Sequence, residues 1–279
     1  MPEGPEIKRV ADQLESAVAG KPLEEVWFAR PDLQQYQSEL GDSIVTGVKT
    51  KGKALLTEFD CGLTVYSHNQ LYGRWYFMGA GKRPRTGRQL RWRLDTEDRS
   101  ALLYSASEIA VMPSEEIHRH PFVARAGIDV LSDHPTVAEM SRYINQSRFA
   151  RRSLGALLLD QGFVAGIGNY LRTEILFCAG LLPEATIGAL SGRERSRLAR
   201  QIIRITERAY QTGGITNDPK IVRRLKARGW RRSQYRHYAF CRAGEPCHVC
   251  AEEIRKHTVA GRRLYTCPHC QDHPAFTAS

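Results

Sequence analysis

The chain has 279 residues, 42% of them hydrophobic and 25% charged, the balance of a soluble globular protein with room for two or three cores. No apolar run approaches the roughly 20 residues that a membrane-spanning helix needs. The opening MPEGPEIKRV has acids where a secretory leader would carry a basic and then an apolar stretch, so a cytoplasmic protein is expected. The net charge of +11 is unevenly spread: 22 Lys and Arg stand against 23 Asp and Glu up to residue 190, and 19 against 7 after it. Such asymmetry points to a polyanion partner. Nucleic acid is favoured over a membrane surface, because the basic region lacks an amphipathic helix with bulky apolar anchors.

In chain order, Ile7, Val10, Ala11, Leu14 and Val18 follow helical spacing, predicting a helix from Gly4 to Ala19 that Gly20 closes. Short strands are predicted over 25–29, 44–48, 54–59, 63–67, 74–77, 89–94 and 101–104, punctuated by Gly, Asp or Pro. Many short strands without intervening helices imply an antiparallel sandwich or barrel ending near residue 112. His118–Pro135 reads as a linker. Helical periodicity then returns over 137–144, 154–161, 170–179 and 193–210, predicting an all-α second domain. Residues 213–236 are polar and basic without clear periodicity and read as a mobile loop. A compact cysteine module follows from Phe240. The expected fold class is therefore α+β and multidomain. Its predicted divisions are 1–117, a linker at 118–134, a helical domain with a basic loop at 135–236, and the cysteine module at 237–279.

The strongest local signal is Cys247-x2-Cys250, sixteen intervening residues, then Cys267-x2-Cys270. Paired knuckles of this spacing give a tetrahedral thiolate Zn2+ site with no open position, hence a structural zinc. His248, His269 and Cys241 break the paired spacing and are set aside as ligands. Seven cysteines in a reducing compartment make a disulfide framework a poor reading, and Cys61 and Cys178 are expected to be inert packing residues. Arg262, beside the second knuckle, suits a phosphate through its paired N–H groups, and Gly166-Ile167-Gly168-Asn169 opening a helix suits an anion.

The N-terminus carries the reactive chemistry. Removal of Met1 would make Pro2 a secondary amine beside Glu3, with Glu6 one helical turn on. An α-amino group titrates near about 7.7–8.0 against about 10.4 for lysine, so more of it is unprotonated at neutral pH. A helix N-terminus and a nearby cation such as Lys53 lower it further. A secondary amine attacking a sugar C1′ forms an iminium directly, and carboxylates handle the protons.

These parts together resemble the formamidopyrimidine-DNA glycosylase/endonuclease VIII family of bifunctional glycosylase/lyases, in order from Pro2 to Cys270. The resemblance implies an N-terminal antiparallel β-sandwich with a flanking helix, a helix–two-turn–helix domain and a β-hairpin zinc finger. It implies Pro2 as Schiff-base nucleophile, Glu3 as proton donor, Glu6 as supporting carboxylate and Lys53 as proton donor in the elimination. Asn169 and Arg262 match the pair gripping phosphates around an extruded nucleotide, Arg262 also serving the δ-elimination. Gln70, Leu71 and Tyr72, in YSHNQLYGRW, look like the endonuclease VIII wedge that fills the gap left by a flipped nucleotide.

The implied activity is excision of oxidised pyrimidines with β,δ-elimination, by a monomer acting on double-stranded DNA that bears a damaged base or abasic site. The alternatives are the same chemistry on oxidised purines, or a non-catalytic DNA-binding protein should Met1 stay attached. Residues 213–236 do not align with the family's lesion-side loop.

Overall fold

A computed structural model of the chain describes residues 2–272. They fall into two compact units, divided between Ala126 and Gly127.

In the first unit α1 (Gly4–Val18) is followed by β1 (Glu25–Phe28), the short helices α2 (Pro31–Gln34) and α3 (Gln37–Gly41), and seven more strands. These are β2 (Val45–Lys51), β3 (Ala54–Phe59), β4 (Leu63–His68), β5 (Arg74–Gly79), β6 (Leu90–Asp95), β7 (Arg99–Tyr104) and β8 (Glu108–Pro113). They form two antiparallel four-stranded sheets, ordered β1-β6-β7-β5 and β2-β3-β4-β8. β8, beyond the last strand foreseen, closes the second sheet by pairing with β4. One core takes side chains from both sheets and from α1 (Ile7, Ala11, Leu14 and Val18), with Trp92 stacked on Phe28 at 5.7 Å. That is the sandwich that many short strands without intervening helices imply. α1 starts with Pro5 in its first turn, where a missing N–H costs little, and ends one residue before its expected limit. Glu15 ties it to β2 by accepting from Val48 N–H at 3.3 Å. Cys61 is exposed in the β3–β4 turn rather than packed inside, because the Cys-Gly pair falls outside the strands.

Between the sandwich and the next long helices, α4 (Pro121–Arg125), β9 (Ile128–Asp129) and α5 (Val130–Asp133) occupy the stretch read as linker. The second unit continues with α6 (Val137–Ile144), α7 (Leu154–Leu157), β10 (Val164–Ala165), α8 (Asn169–Ala179) and α9 (Gly192–Thr212). α9 opens with a reciprocal cap: Ser191 N–H donates to Glu194 Oε2 at 2.8 Å, and Glu194 N–H to Ser191 Oγ at 3.3 Å. α7 is half the expected length. Asp160 takes Gly162 N–H and Gln161 takes Gly166 N–H, so these side chains satisfy a turn instead of extending the helix.

The basic segment 213–236 is not a loop. It holds α10 (Pro219–Ala227) and α11 (Arg232–Tyr235). Asp218 caps α10 by accepting from Lys220 N–H at 2.8 Å, and Val222, Leu225 and Tyr235 make a small core of their own with Trp230 against it. Only three apolar anchors repeat among many cations, which is why the periodicity is faint in the sequence. The hairpin β11 (Arg255–Val259) and β12 (Arg262–Thr266), then α12 (Pro268–Asp272), complete the described chain. Cys247, Cys267 and Cys270 lie in the same core as α6, α8 and α9. Among the described residues no helix is long and apolar enough to cross a membrane.

Candidate active site and nucleic-acid interface

In the first unit, Pro2 is half-buried two residues before α1, and Glu3, the N-cap, is extended and 4% exposed. Glu3 N–H donates to Glu6 Oε2 at 3.0 Å, so the two carboxylate residues are joined through the first turn. Lys53 lies in the two-residue turn between β2 and β3, half-buried, after Gly52 at φ 61°. That turn leads into Ala54, which pairs with His68 on β4. Burial holds the His68 imidazole below its ordinary range, and the Lys53 charge adds to the effect against the opposing pull of Glu108.

Residues 69–73 cross from β4 to β5 and thus from one sheet to the other. Gly73 lies so close to Asn69 that a Cβ there would meet Asn69 O at 2.5 Å, and Gln70 takes a left-handed φ of 48°. The result is a tight platform carrying Leu71 (61% exposed) and Tyr72 (69% exposed), two of the few large apolar side chains left in solvent. Gln70, itself exposed, is held by two hydrogen bonds: its Nε2 donates to Glu108 Oε2 at 3.0 Å, and Ser107 Oγ donates to its Oε1. Tyr66 OH donates to Glu108 Oε1 at 3.2 Å, and burial followed by that carboxylate's charge pushes the Tyr66 hydroxyl well above its ordinary range.

In the second unit, Asn169 is the first residue of α8, following Gly168 in extended conformation and Gly166 at φ 93°. Arg172, fully buried one turn on, joins this helix start to the hairpin. Its Nη2 donates to Asn169 Oδ1 at 3.1 Å and Arg263 O at 3.0 Å, and its Nη1 to Gly155 O at 2.8 Å and Val259 O at 3.2 Å. Close approach of the hairpin requires Gly155, where a Cβ would meet Val259 Cγ1 at 2.8 Å. The β11–β12 turn has Ala260 and Gly261 at φ 51° and 70°, which presents Arg262 exposed beside it. The structure thereby brings the Asn169 side chain and the Arg262 turn to one guanidinium.

Glu174 is a second buried charge on α8. It accepts from Thr216 Oγ1 at 2.5 Å and from the N–H groups of Tyr238, Ala239 and Phe240 at 2.7–2.9 Å, fixing the chain entering the cysteine module. Sequence reasoning missed Arg172, Glu174 and Glu108. For the first two a signal existed: opposite charges inside the otherwise apolar run YLRTEILFCA have to find buried partners.

The four cysteine sulfurs of Cys247, Cys250, Cys267 and Cys270 lie within 4.8 Å of one another, the group among the described residues that could hold a metal ion. Sγ separations are 3.9 Å for Cys247–Cys270, 3.4 Å for Cys250–Cys267 and 3.5 Å for Cys250–Cys270. The Cys270 thiol donating to Cys247 pulls the latter down to about 5, while burial pushes Cys267 up to about 12. Crowded this closely, the set can carry several thiolates only around a cation.

Comparison with known proteins agrees with this architecture. The model described as formamidopyrimidine-DNA glycosylase N-terminal domain matches residues 1–107, and that described as the H2TH domain of the same enzyme matches residues 126–220. The chain is 46% identical over 271 residues to Endonuclease 8 of Escherichia coli O17:K52:H18 and 45% identical to that of Klebsiella pneumoniae, covering 97% of this chain and 100% of each relative. A solved Lactococcus lactis formamidopyrimidine-DNA glycosylase, bound non-covalently to DNA containing an abasic site, superposes with a TM-score of 0.79 at 22% identity, over 97% of this chain and 100% of that one. The same enzyme with oxidised-pyrimidine DNA gives 0.79 at 22% identity, over 98% of this chain and 100% of that one. Both likenesses establish the shared fold. The chain belongs to the formamidopyrimidine-DNA glycosylase and endonuclease 8 family of DNA-repair glycosylases.

Proposed function

We propose that this DNA glycosylase removes oxidised pyrimidines and cleaves the strand by β,δ-elimination, with the amine of Pro2 as nucleophile after Met1 is removed. The observation that carries the reading is the pairing of Pro2 with Glu3, an almost fully buried carboxylate residue whose backbone is tied to Glu6 at the start of α1.

The Pro2 nitrogen attacks C1′ of the damaged nucleotide and the C1′–base bond breaks. The base leaves with the proton shed by the attacking amine, the C1′–O4′ bond then opens as Glu3 gives its proton to O4′, and the ring-opened sugar is held as an iminium. The iminium acidifies C2′–H. Loss of that proton expels the 3′ phosphate, and a second elimination expels the 5′ phosphate. Lys53 acts as the proton donor in the elimination. Asn169 and Arg262 grip the phosphates, and Arg262 neutralises charge on the departing group. Water adding to C1′ of the final iminium releases the sugar remnant as an aldehyde and frees the Pro2 amine. Gln70, Leu71 and Tyr72 fill the space of the extruded nucleotide, Leu71 and Tyr72 recovering part of the lost stacking.

The cysteine set would hold one structural Zn2+. With Zn–S near about 2.3 Å a tetrahedron has sulfur edges of about 3.8 Å, close to the 3.4–3.9 Å separations of these thiols. The ion stabilises the hairpin that carries Arg262 and takes no part at the sugar. The wedge residues and the identity to Endonuclease 8 relatives favour pyrimidine lesions over purine ones. The test is a panel of end-labelled duplexes carrying an oxidised pyrimidine, 8-oxoguanine or an abasic site. Fastest release on the pyrimidine lesion, with phosphate at both ends of the gap, is expected. A faster rate on 8-oxoguanine, or nicks with an unsaturated aldehyde at the 3′ end, would contradict the assignment.

A further inference from the structure

We propose that the α10–α11 pair is a second grip on the backbone of duplex DNA, separate from Asn169 and Arg262 and resting on the reading of this protein as a DNA-acting enzyme. α10 carries Lys220, Arg223, Arg224 and Lys226, and the connection and α11 add Arg228, Arg231 and Arg232, every one of them exposed. From Pro219 to Arg236 the sequence contains no acidic residue. Among the described residues none of these seven makes an ion pair.

A solvated helix face ordinarily mixes its signs, and this one does not. The helix dipole accounts for Arg224 and Lys226 in the last turn of α10, but it disfavours Lys220 in the first turn and says nothing of Arg223 or Arg228. Like charges packed this densely repel one another, which an attracted polyanion relieves.

The surface is also held in place. Asn217 Nδ2 donates to Tyr235 O at 3.2 Å, and Thr216 N–H to Arg236 O at 2.8 Å. Arg224 Nη2 donates to His248 O at 3.3 Å, the His248 ring meets Gln234 O at 3.1 Å, and Trp230 lies edge-on to that ring at 5.7 Å. Two short helices that could not stay folded alone are thereby fixed to the cysteine knuckle and to the core of their unit. A fixed cationic face without exposed large apolar side chains suits phosphates rather than a lipid surface.

The exposed side chains of Lys220, Arg223 and Arg228 point away from the small core formed by Val222, Leu225 and Tyr235. The triple variant Lys220→Gln/Arg223→Gln/Arg228→Gln therefore removes charge and leaves the packing intact. Affinity for undamaged and lesion duplexes is measured against salt, and base release is measured at saturating enzyme. At about 0.9 units of slope per phosphate contact, the variant should lose about two to three units on both duplexes, with base release at saturation unchanged. Arg223→Lys/Arg228→Lys should keep the wild-type slope. An unchanged slope in the triple variant, or a Lys variant as weak as the Gln variant, would overturn the proposal. Absence of base release by the wild-type protein would instead count against the glycosylase reading, since the slope is read from binding alone.

Discussion

Arg172 and Asn169 are bound side chain to side chain: the buried guanidinium donates to Asn169 Oδ1 at 3.1 Å while its terminal N–H groups also hold the carbonyls of Val259 and Arg263 on the β11–β12 hairpin and of Gly155 on α7. A residue that touches neither solvent nor surface thus aligns the two residues proposed to hold phosphate. Arg172→Lys keeps a charge but loses the planar fork, so several buried acceptors lose their partner at roughly 1–3 kcal/mol each. We expect a loss of about 3 kcal/mol, or about 6–12 °C in the Tm of this unit. A fall of about tenfold in DNA affinity should accompany it at temperatures where the variant is folded. Differential scanning calorimetry and fluorescence anisotropy check both, and unchanged affinity would mean that Asn169 and Arg262 do not depend on this alignment.

Glu108 orients the proposed wedge. Its two oxygens take Tyr66 OH and Gln70 Nε2, so Glu108→Ala releases Gln70 Nε2 and leaves Ser107 Oγ on the Gln70 Oε1, while Leu71 and Tyr72 stay on their platform. Single-turnover base release should slow by about two- to tenfold, the range of a typical net hydrogen bond of about 0.5–1.5 kcal/mol. Glu108→Gln should recover part of the rate. Equal defects in Glu108→Ala and Glu108→Gln would remove the positional argument.

Buried His237 predicts acid sensitivity. Burial, then the charges of Arg236 and Arg232, hold its imidazole well below 6.5, so the folded state keeps it neutral and the unfolded state binds a proton first. Its contribution to stability is present above about pH 6.5 and is lost as pH falls towards the folded value, at about 1.4 kcal/mol per unit. The Tm of this unit should drop between pH 7 and pH 5, and His237→Gln should flatten that slope. A slope identical in both proteins would assign the acid sensitivity elsewhere.

Removing the Zn2+ proposed for the four cysteines should affect more than a hairpin. Three of the four cysteines lie in the core shared with α6, α8 and α9, and Gln271, beside Cys270, donates to Leu181 O at 2.9 Å. Chelation is expected to lower the melting temperature of the whole helical unit, along with DNA affinity, while the sandwich melts as before. Calorimetry that gives an unchanged helical transition after chelation would contradict this.

The sandwich, α1 and the cysteine cluster were legible because each follows a simple rule along the chain: short runs punctuated by Gly, Asp or Pro for the strands, the 3–4 spacing of Ile7, Ala11 and Leu14, and paired thiols. The ends of α7 and the existence of α10 and α11 were not. Side-chain turns at Asp160 and Gln161 and a three-residue core around Val222 are decided by tertiary partners that lie far apart in the sequence. The residues proposed for contact with DNA could be named from the chain, whereas those that hold them, Arg172, Glu108 and Glu174, became visible only with their hydrogen bonds.

The proposed chemistry turns on a covalent bond at position two. Borohydride reduction of the enzyme during reaction with a lesion duplex, followed by nuclease and protease digestion and tandem mass spectrometry, should give an N-terminal peptide beginning at Pro2 with the sugar remnant on its ring nitrogen. A remnant on Lys53 or another lysine, or Met1 still attached to Pro2 in protein that retains full activity, would contradict the account.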